Sequence, residues 1–244
     1  MPARTHGWLP RAAVVIAAFC WPAGSTPQTV ISAQAGLLNH ISGCVLLDGK
    51  HIERGRVRFT HLLPGQRLRA EDGHAEVMLG PEVFLRLGFE SELEMVSTDL
   101  AAPQVRLLTG SALIDANGLT AREPVSVLVG RSEVRLVRKG LYRLDIPREG
   151  PEALTVWNGR AVVVAESREK IIADKHAIEL GGNVKSLAPR RVERSTSDAL
   201  DDWSSQRATA IAHVNGEMLR KQLKEDHNDK NFGLPRLGRG LPGP

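Results

Sequence analysis

The residues able to do chemistry are scattered along this chain. Eight histidines stand at positions 6, 40, 51, 61, 74, 176, 213 and 227. No two are spaced His-x-His or His-x-x-x-His, and no histidine completes a metal-ligand set with Cys44. The sequence has no Gly-x-Ser-x-Gly elbow to raise a nucleophile and no glycine-rich loop before a helix to cradle a phosphate. Glu90, Glu92 and Glu94 alternate as they would along a strand, which predicts solubilising charges on an outer face rather than an acid–base pair. The expectation is a non-enzymatic protein with no catalytic, metal or cofactor site. One pair remains for weighing. Trp203 and Arg207 stand four apart in a helical pattern and so share a face. They either present an aromatic ring and a guanidinium to a partner, or Trp203 caps the apolar end of the body with the Arg207 stem over its ring. The second, structural arrangement is the expected one.

The elements around these residues follow from hydrophobic periodicity. From Ala75 to Met95 the odd positions are almost all apolar, while the even ones carry His74, Glu76, Glu82, Arg86, Glu90, Glu92 and Glu94. That alternation predicts strands with one parity in a core and the other in water. From Leu37 to Leu187 the text is short β-rich segments broken by Gly and Pro, with 56–60 among the predicted strands. Five segments open just after Gly43, Gly73, Gly110, Gly140 and Gly159, where the glycines would serve tight turns. Residues 82–95 are similar to 133–146, and 105–115 to 154–164, so one displacement of about fifty predicts two tandem β units, 65–120 and 121–187. The expected fold is all-β, a short-strand sandwich or solenoid-like body over 36–194. A C-terminal amphipathic helix follows over 195–216, carrying Leu200, Trp203, Ala210, Ile211 and Val214 on one face. Ser197 is its expected N-cap and Asn215-Gly216 its stop. A short helix at 217–225 and a disordered tail from His227 complete the expectation.

Composition narrows the setting. At 244 residues and 42% hydrophobic, the chain can bury a good core, but with 4% aromatics that core must be aliphatic. Residues 1–35 read as an export signal: Arg4 and Arg11, no acid, then an apolar run from Ala12 to Trp21 too short to span a bilayer. Small residues place cleavage after Ser25 or after Ala35. Processing leaves Cys44 as the one cysteine, expected to be a buried, inert thiol, and leaves 30 basic against 28 acidic side chains. These charges are interspersed and lack aromatics to stack on, so nucleic acid is not an expected partner. The mature chain has no spanning helix in this reading.

The stretch "GQRLRAEDGHAEVMLGPEVFLRLGFESELEMV", followed by "VRLLTGSALID", resembles the FecR-type domain of bacterial envelope proteins, in its glycine-rich lead-in, alternating strands and closing strand–Gly–strand. "GLYRLDI", "VWNGRAVVV" and "DALDDWSSQRATAIAHVN" resemble an exported subgroup with a C-terminal Asp–Trp–Arg helix. The resemblance implies an exported β module, periplasmic or extracellular, with the habit of binding a protein partner. Regulators of this family carry a cytoplasmic domain that binds a sigma factor; the eleven residues ahead of the apolar run do not match it. The first expectation is therefore a module that binds a protein or another envelope component, and the second a structural or polysaccharide-binding envelope protein.

Overall fold

The structure is a computed structural model, and it describes residues 34–120, 123–166, 168–181, 188–193 and 197–232. Of the expected export segment, all but Gln34 and Ala35 lies outside the described residues. Among the described residues there are twelve strands: β1 Leu37–Leu47, β2 Lys50–His51, β3 Arg67–Gly80, β4 Val83–Leu87, β5 Ser91–Ser97, β6 Gln104–Ala116, β7 Val125–Val129, β8 Ser132–Ile146, β9 Ala153–Ala165, β10 Arg168–Ala173, β11 His176–Glu179 and β12 Arg190–Arg191. The α-helix among the described residues, α1, runs over Ala199–Phe232. Residues Arg54–Phe59, part of which reads as a strand in the sequence, form a 3-10 helix instead.

Five strands are eleven residues or longer, and their pairing registers show why. Each belongs to two layers. In layer A the first half of β1 pairs the second half of β3, followed by β4, the second half of β6, the second half of β8, the first half of β9, β11 and β12. In layer B the order is β2, the second half of β1, the first half of β3, β5, the first half of β6, β7, the first half of β8, the second half of β9 and β10. Among the described strand pairs only β6–β7 is parallel. Hydrogen bonding thus gives one continuous sheet, while the packing is a two-layer sandwich whose long strands cross from one layer to the other.

The crossing points correct the expected role of the glycines. All five lie inside long strands, not at turns. Gly43 pairs Gly73 directly, and a Cβ on either would collide with the other strand's backbone: the Asp72 carbonyl for Gly43, the Ser42 carbonyl for Gly73. Gly140 and Gly159 repeat the device, with Gly140 against the Asn158 carbonyl and Gly159 against the Tyr142 hydroxyl. At Gly110 the facing residue is Ser91, whose Oγ accepts from the Ser111 amide at 2.8 Å. A bending strand brings backbones closer than any side chain permits, and only glycine fits. The bends also reset the alternation. In β3 the core positions are Leu68 and Ala70 before Gly73, then Ala75, Val77 and Leu79 after it. β6 likewise switches from Val105 and Leu107 to Ala112 and Ile114. The extra residue keeps the apolar side inward as the strand changes layer.

One contiguous aliphatic core fills the sandwich, from Leu38, Leu68 and Leu85 through Leu93, Val127 and Leu144 to Val156 and Ile172. Leu85 and Leu93 point inward, as their parity predicts. Glu92 and Glu94 lie on the outer face of layer B, near Arg69 and near Arg67 and Arg106. Cys44 is free and only partly buried, its thiol 3.8 Å from Glu71, so the expected burial is not found.

Helix α1 also departs from its expected bounds. Its cap is Asp198, not Ser197: the Asp201 amide donates to Asp198 Oδ1 at 3.0 Å. The helix then runs unbroken through Asn215-Gly216 to Phe232, so 227–232 is helical and only 233–244 of the expected tail lies outside the described residues. Gly216 ends a helix only by taking a left-handed φ. Here it does not, because the Glu217–Glu225 run of strong helix formers outweighs its propensity cost of about 1 kcal/mol.

Candidate functional site beneath the C-terminal helix

The even-numbered face expected to be solvated is where the structure puts its most unusual residues. His74, Glu76 and Arg86 are 6%, 0% and 1% exposed. They lie on the outer face of layer A, and the first turns of α1 cover them. Register brings them together: Glu76 sits opposite His40 on β1 and opposite Arg86 on β4, and Arg86 sits opposite Leu113 on β6. Directly opposed residues share a face. The fold therefore lines up His40, Glu76, Arg86, Leu113 and Arg143 in one transverse row.

Glu76 is the centre of this row. Its Oε2 accepts from Arg86 Nε at 2.8 Å, and its Oε1 from Arg207 Nη2 at 2.7 Å and Asn39 Nδ2 at 2.6 Å. Burial alone would push its carboxyl up, but the hydrogen bonds and charges of Arg207 and Arg86 hold it below the usual carboxylate value. Glu76 stays ionised and is held by three partner residues, Arg207 donating through both Nε and Nη2, which makes it a clamp rather than a proton donor. Arg86 Nη1 donates to Ser204 Oγ on the helix at 2.8 Å and lies 3.3 Å from Asp115. Asp115 accepts in turn from Asn117 at 2.6 Å. Two acids and two guanidiniums make this network formally neutral, the condition under which buried charge is tolerated.

A second clamp holds the helix start. Arg143 donates to Asp201 at 3.0 Å, lies 2.6 Å from Asp198 and is braced by Asp145 at 3.0 Å. Desolvation opposes its charge, but the surrounding aspartates raise its pKa well above the ordinary value. Asp198 and Asp201 also face the positive end of the helix dipole.

Trp203 and Arg207 do share a helix face, but each has its own partner. The Trp203 ring stacks on His74, centroids 4.7 Å apart and 15° between planes, with His40 at 6.2 Å. Phe89 meets the His74 ring edgewise at 4.4 Å. Trp203 therefore lies on the flat of layer A rather than over an end of the body. The Arg207 guanidinium goes to Glu76 and not over the Trp203 ring. Burial pushes both His74 and His40 below the ordinary imidazole value, and Arg207 adds to the effect at His40. His74 Nε2 and Arg86 Nη2 are buried and find no hydrogen-bond partner among the described residues.

Two clefts of about 210 and 270 Å³ flank Arg86, Asp115 and Ala208 between helix and sheet. Both fall below the roughly 300 Å³ where small-molecule sites begin. Beyond them the helix leaves the body. Ile211 is half-covered, but Val214, Met218 and Leu219 are 48%, 62% and 57% exposed. Val214 and Met218 continue the stripe of Leu200, Trp203, Arg207 and Ile211 at helical spacing, and Leu219 stands about 100° round the helix from Met218.

Glu76, His74 and Arg86 escape the sequence analysis. The usable signal was Arg86 alone within "VFLRL", with opposite charge on the same parity of the preceding strand. No family model matches this chain, and no characterised protein matches it. Two crystal structures of a "putative anti-sigma factor" from Parabacteroides distasonis are similar, at 12% and 11% identity with TM-scores of 0.44 and 0.43. Each match covers 52% of this chain and 60% of the other.

Proposed function

We propose that this chain is an exported, non-enzymatic β module that binds a protein partner in the bacterial envelope through the projecting half of α1. The observation carrying this reading is the division of that helix. Its first turns are fastened to layer A by Trp203, Ser204, Arg207 and Asp201, while Val214 and Met218 extend the same stripe into solvent and the exposed Leu219 widens it on one side. A stripe of that kind is the usual offering of a helix to a groove. The FecR-type resemblance of 65–115 agrees with a module whose work is to bind. Export agrees with the signal-like first 35 residues. Ala35 is 1% exposed and its amide donates to the Thr98 carbonyl at 3.0 Å, which supports processing upstream, after Ser25.

The test is capture from envelope extract by the immobilised chain. Met218→Lys with Leu219→Lys should abolish capture of a defined protein at unchanged melting temperature. Equal capture by the double variant would overturn the reading. The second reading, a polysaccharide-binding protein, is favoured by one feature: a groove of about 440 Å³ lined by Leu141, Trp157, Asn158, Lys175 and Arg191. Retention on peptidoglycan or anionic glycan, lost on Trp157→Ala, would put that reading first.

A further inference from the structure

The two layers have four lateral edges, and among the described residues three of them are closed. In layer A the first half of β1 is bordered by 60–62: Leu38 N–H donates to the Thr60 carbonyl at 2.9 Å, and Leu62 N–H to Gly36 at 2.8 Å. Its other edge ends in β12, two residues long, and layer B begins with β2, also two residues. Short edges and covered edges offer no template to a foreign strand. The fourth edge is β10. It has six residues, no proline and an unbroken register against β9, which is its only strand partner among the described residues. At its middle Ile171 is 64% exposed, beside its register partner Val162 on the outer face of layer B.

We propose that β10 pairs with β10 of a second copy, antiparallel about a two-fold axis through Ile171, joining two layer B sheets into one. Charge, strand length and the exposure of Ile171 together select this register. Opposed side chains share a sheet face, so a strand paired with its own copy must centre on a residue, not between two. Centring on Arg168, Glu169 or Lys170 sets like charges directly opposite. Centring on Ile172 shortens the pairing to 170–174, because Lys175 has turned to φ 58°, and puts a buried side chain rather than the exposed Ile171 at the centre. Centring on Ile171 sets Ile171 against its own copy, Lys170 against Ile172 and Glu169 against Ala173. It also sets Arg168 against Asp174 at both ends. Arg168 and Asp174 are exposed, and Glu169 is already neutralised by Arg135 at 2.7 Å. Opposite charges at both ends and apolar side chains at the centre make this edge self-complementary. An edge of six residues buries little area, so the dimer is a weak one that forms with concentration.

Sedimentation of the purified full chain over a range of concentrations tests this directly. The expected result is a reversible monomer–dimer equilibrium, with slowed amide exchange confined to 168–173 as dimer forms. Ile171→Lys should abolish association without changing the far-UV circular dichroism or the melting temperature. Arg168→Glu or Asp174→Arg alone should weaken it about 3- to 10-fold, and the two together should restore it. Met218→Lys with Leu219→Lys should leave it unchanged, which separates this edge from the helix stripe. A monomer at every concentration, a dimer indifferent to Ile171→Lys, or a charge exchange that fails to restore association would each overturn the proposal.

Discussion

Glu76 and Arg207 stand 131 positions apart in sequence and are joined by a 2.7 Å hydrogen bond between a buried strand carboxylate and the docked helix. That bond, with Arg86 to Ser204 at 2.8 Å, ties the C-terminal helix to the β body through polar groups. It makes docking directional in a way that Leu200 and Trp203 alone would not.

Removing one member of this network should be worse than removing two. Glu76→Leu leaves the Arg86 guanidinium, 1% exposed, with Asp115 as its remaining counter-charge, and should cost about 3–5 kcal/mol. Glu76→Leu with Arg86→Met replaces the pair by apolar groups of similar size and should cost less than the single change. Urea unfolding of both variants reads the difference, and a double variant less stable than Glu76→Leu would contradict the buried pairing.

Acid should loosen the helix in two stages. His74 and His40 have folded-state pKa values below the ordinary 6.5, so the unfolded chain takes up their protons first. Stability should therefore fall as pH drops through 6.5 towards the lowered values. Protonated His74 would meet Trp203, Phe89 and the Ser42 hydroxyl, with Asp198 the one acid acting on it; His40 faces Arg207, Glu76 and Arg54. The Glu76 carboxyl, held below its ordinary 4.5, stabilises the fold above that value and ceases to as pH falls through its lowered one. Melting temperature against pH should show the first stage shrink in His74→Phe and the second shrink in Glu76→Gln, the remainder coming from Asp198, whose carboxyl, though desolvation pushes it up, is held below the ordinary value by the Arg143 guanidinium.

Trp203 is the largest group holding the helix down. Since it is only partly buried, Trp203→Ala should cost about 2 kcal/mol, below the 3–5 typical of a fully buried ring. Helical circular dichroism should decline at a lower temperature than the β signal. Coincident transitions at wild-type temperature would make Trp203 a candidate contact residue instead.

Two glycines should respond oppositely to alanine. Gly216 is helical with open space around it, so Gly216→Ala should stabilise the helix by about 0.5–1 kcal/mol. At Gly140 an added methyl runs into the Asn158 carbonyl and Gly159 Cα, and Gly140→Ala should destabilise the domain by more than that. Thermal unfolding of the two variants settles the sign.

Export has a direct readout. Expressed in a Gram-negative host, the protein should appear in the periplasm beginning at Thr26, as N-terminal sequencing would show. An intact Met1 on a cytosolic product would sink the export reading.

Local rules determined a good part of this protein from sequence alone. Period-two alternation made the strands legible and placed Leu85 and Leu93 inside, because burial on one face leaves its mark within a few residues. Leu200, Trp203 and Ile211 at helical spacing marked the helix for the same reason. What stayed hidden depended on distant partners. A glycine at a turn and a glycine at a strand crossing look alike in text, since the atoms that exclude a Cβ at Gly43 or Gly140 belong to another strand. His74, Glu76 and Arg86 read as solvated because alternation reports which side of a sheet is outer, not whether something covers it. Only the tertiary structure brings α1 across that face, and only then does Glu76 acquire Arg207, turning an ordinary surface carboxylate into a buried clamp that keeps its charge to pH values below the ordinary carboxylate range.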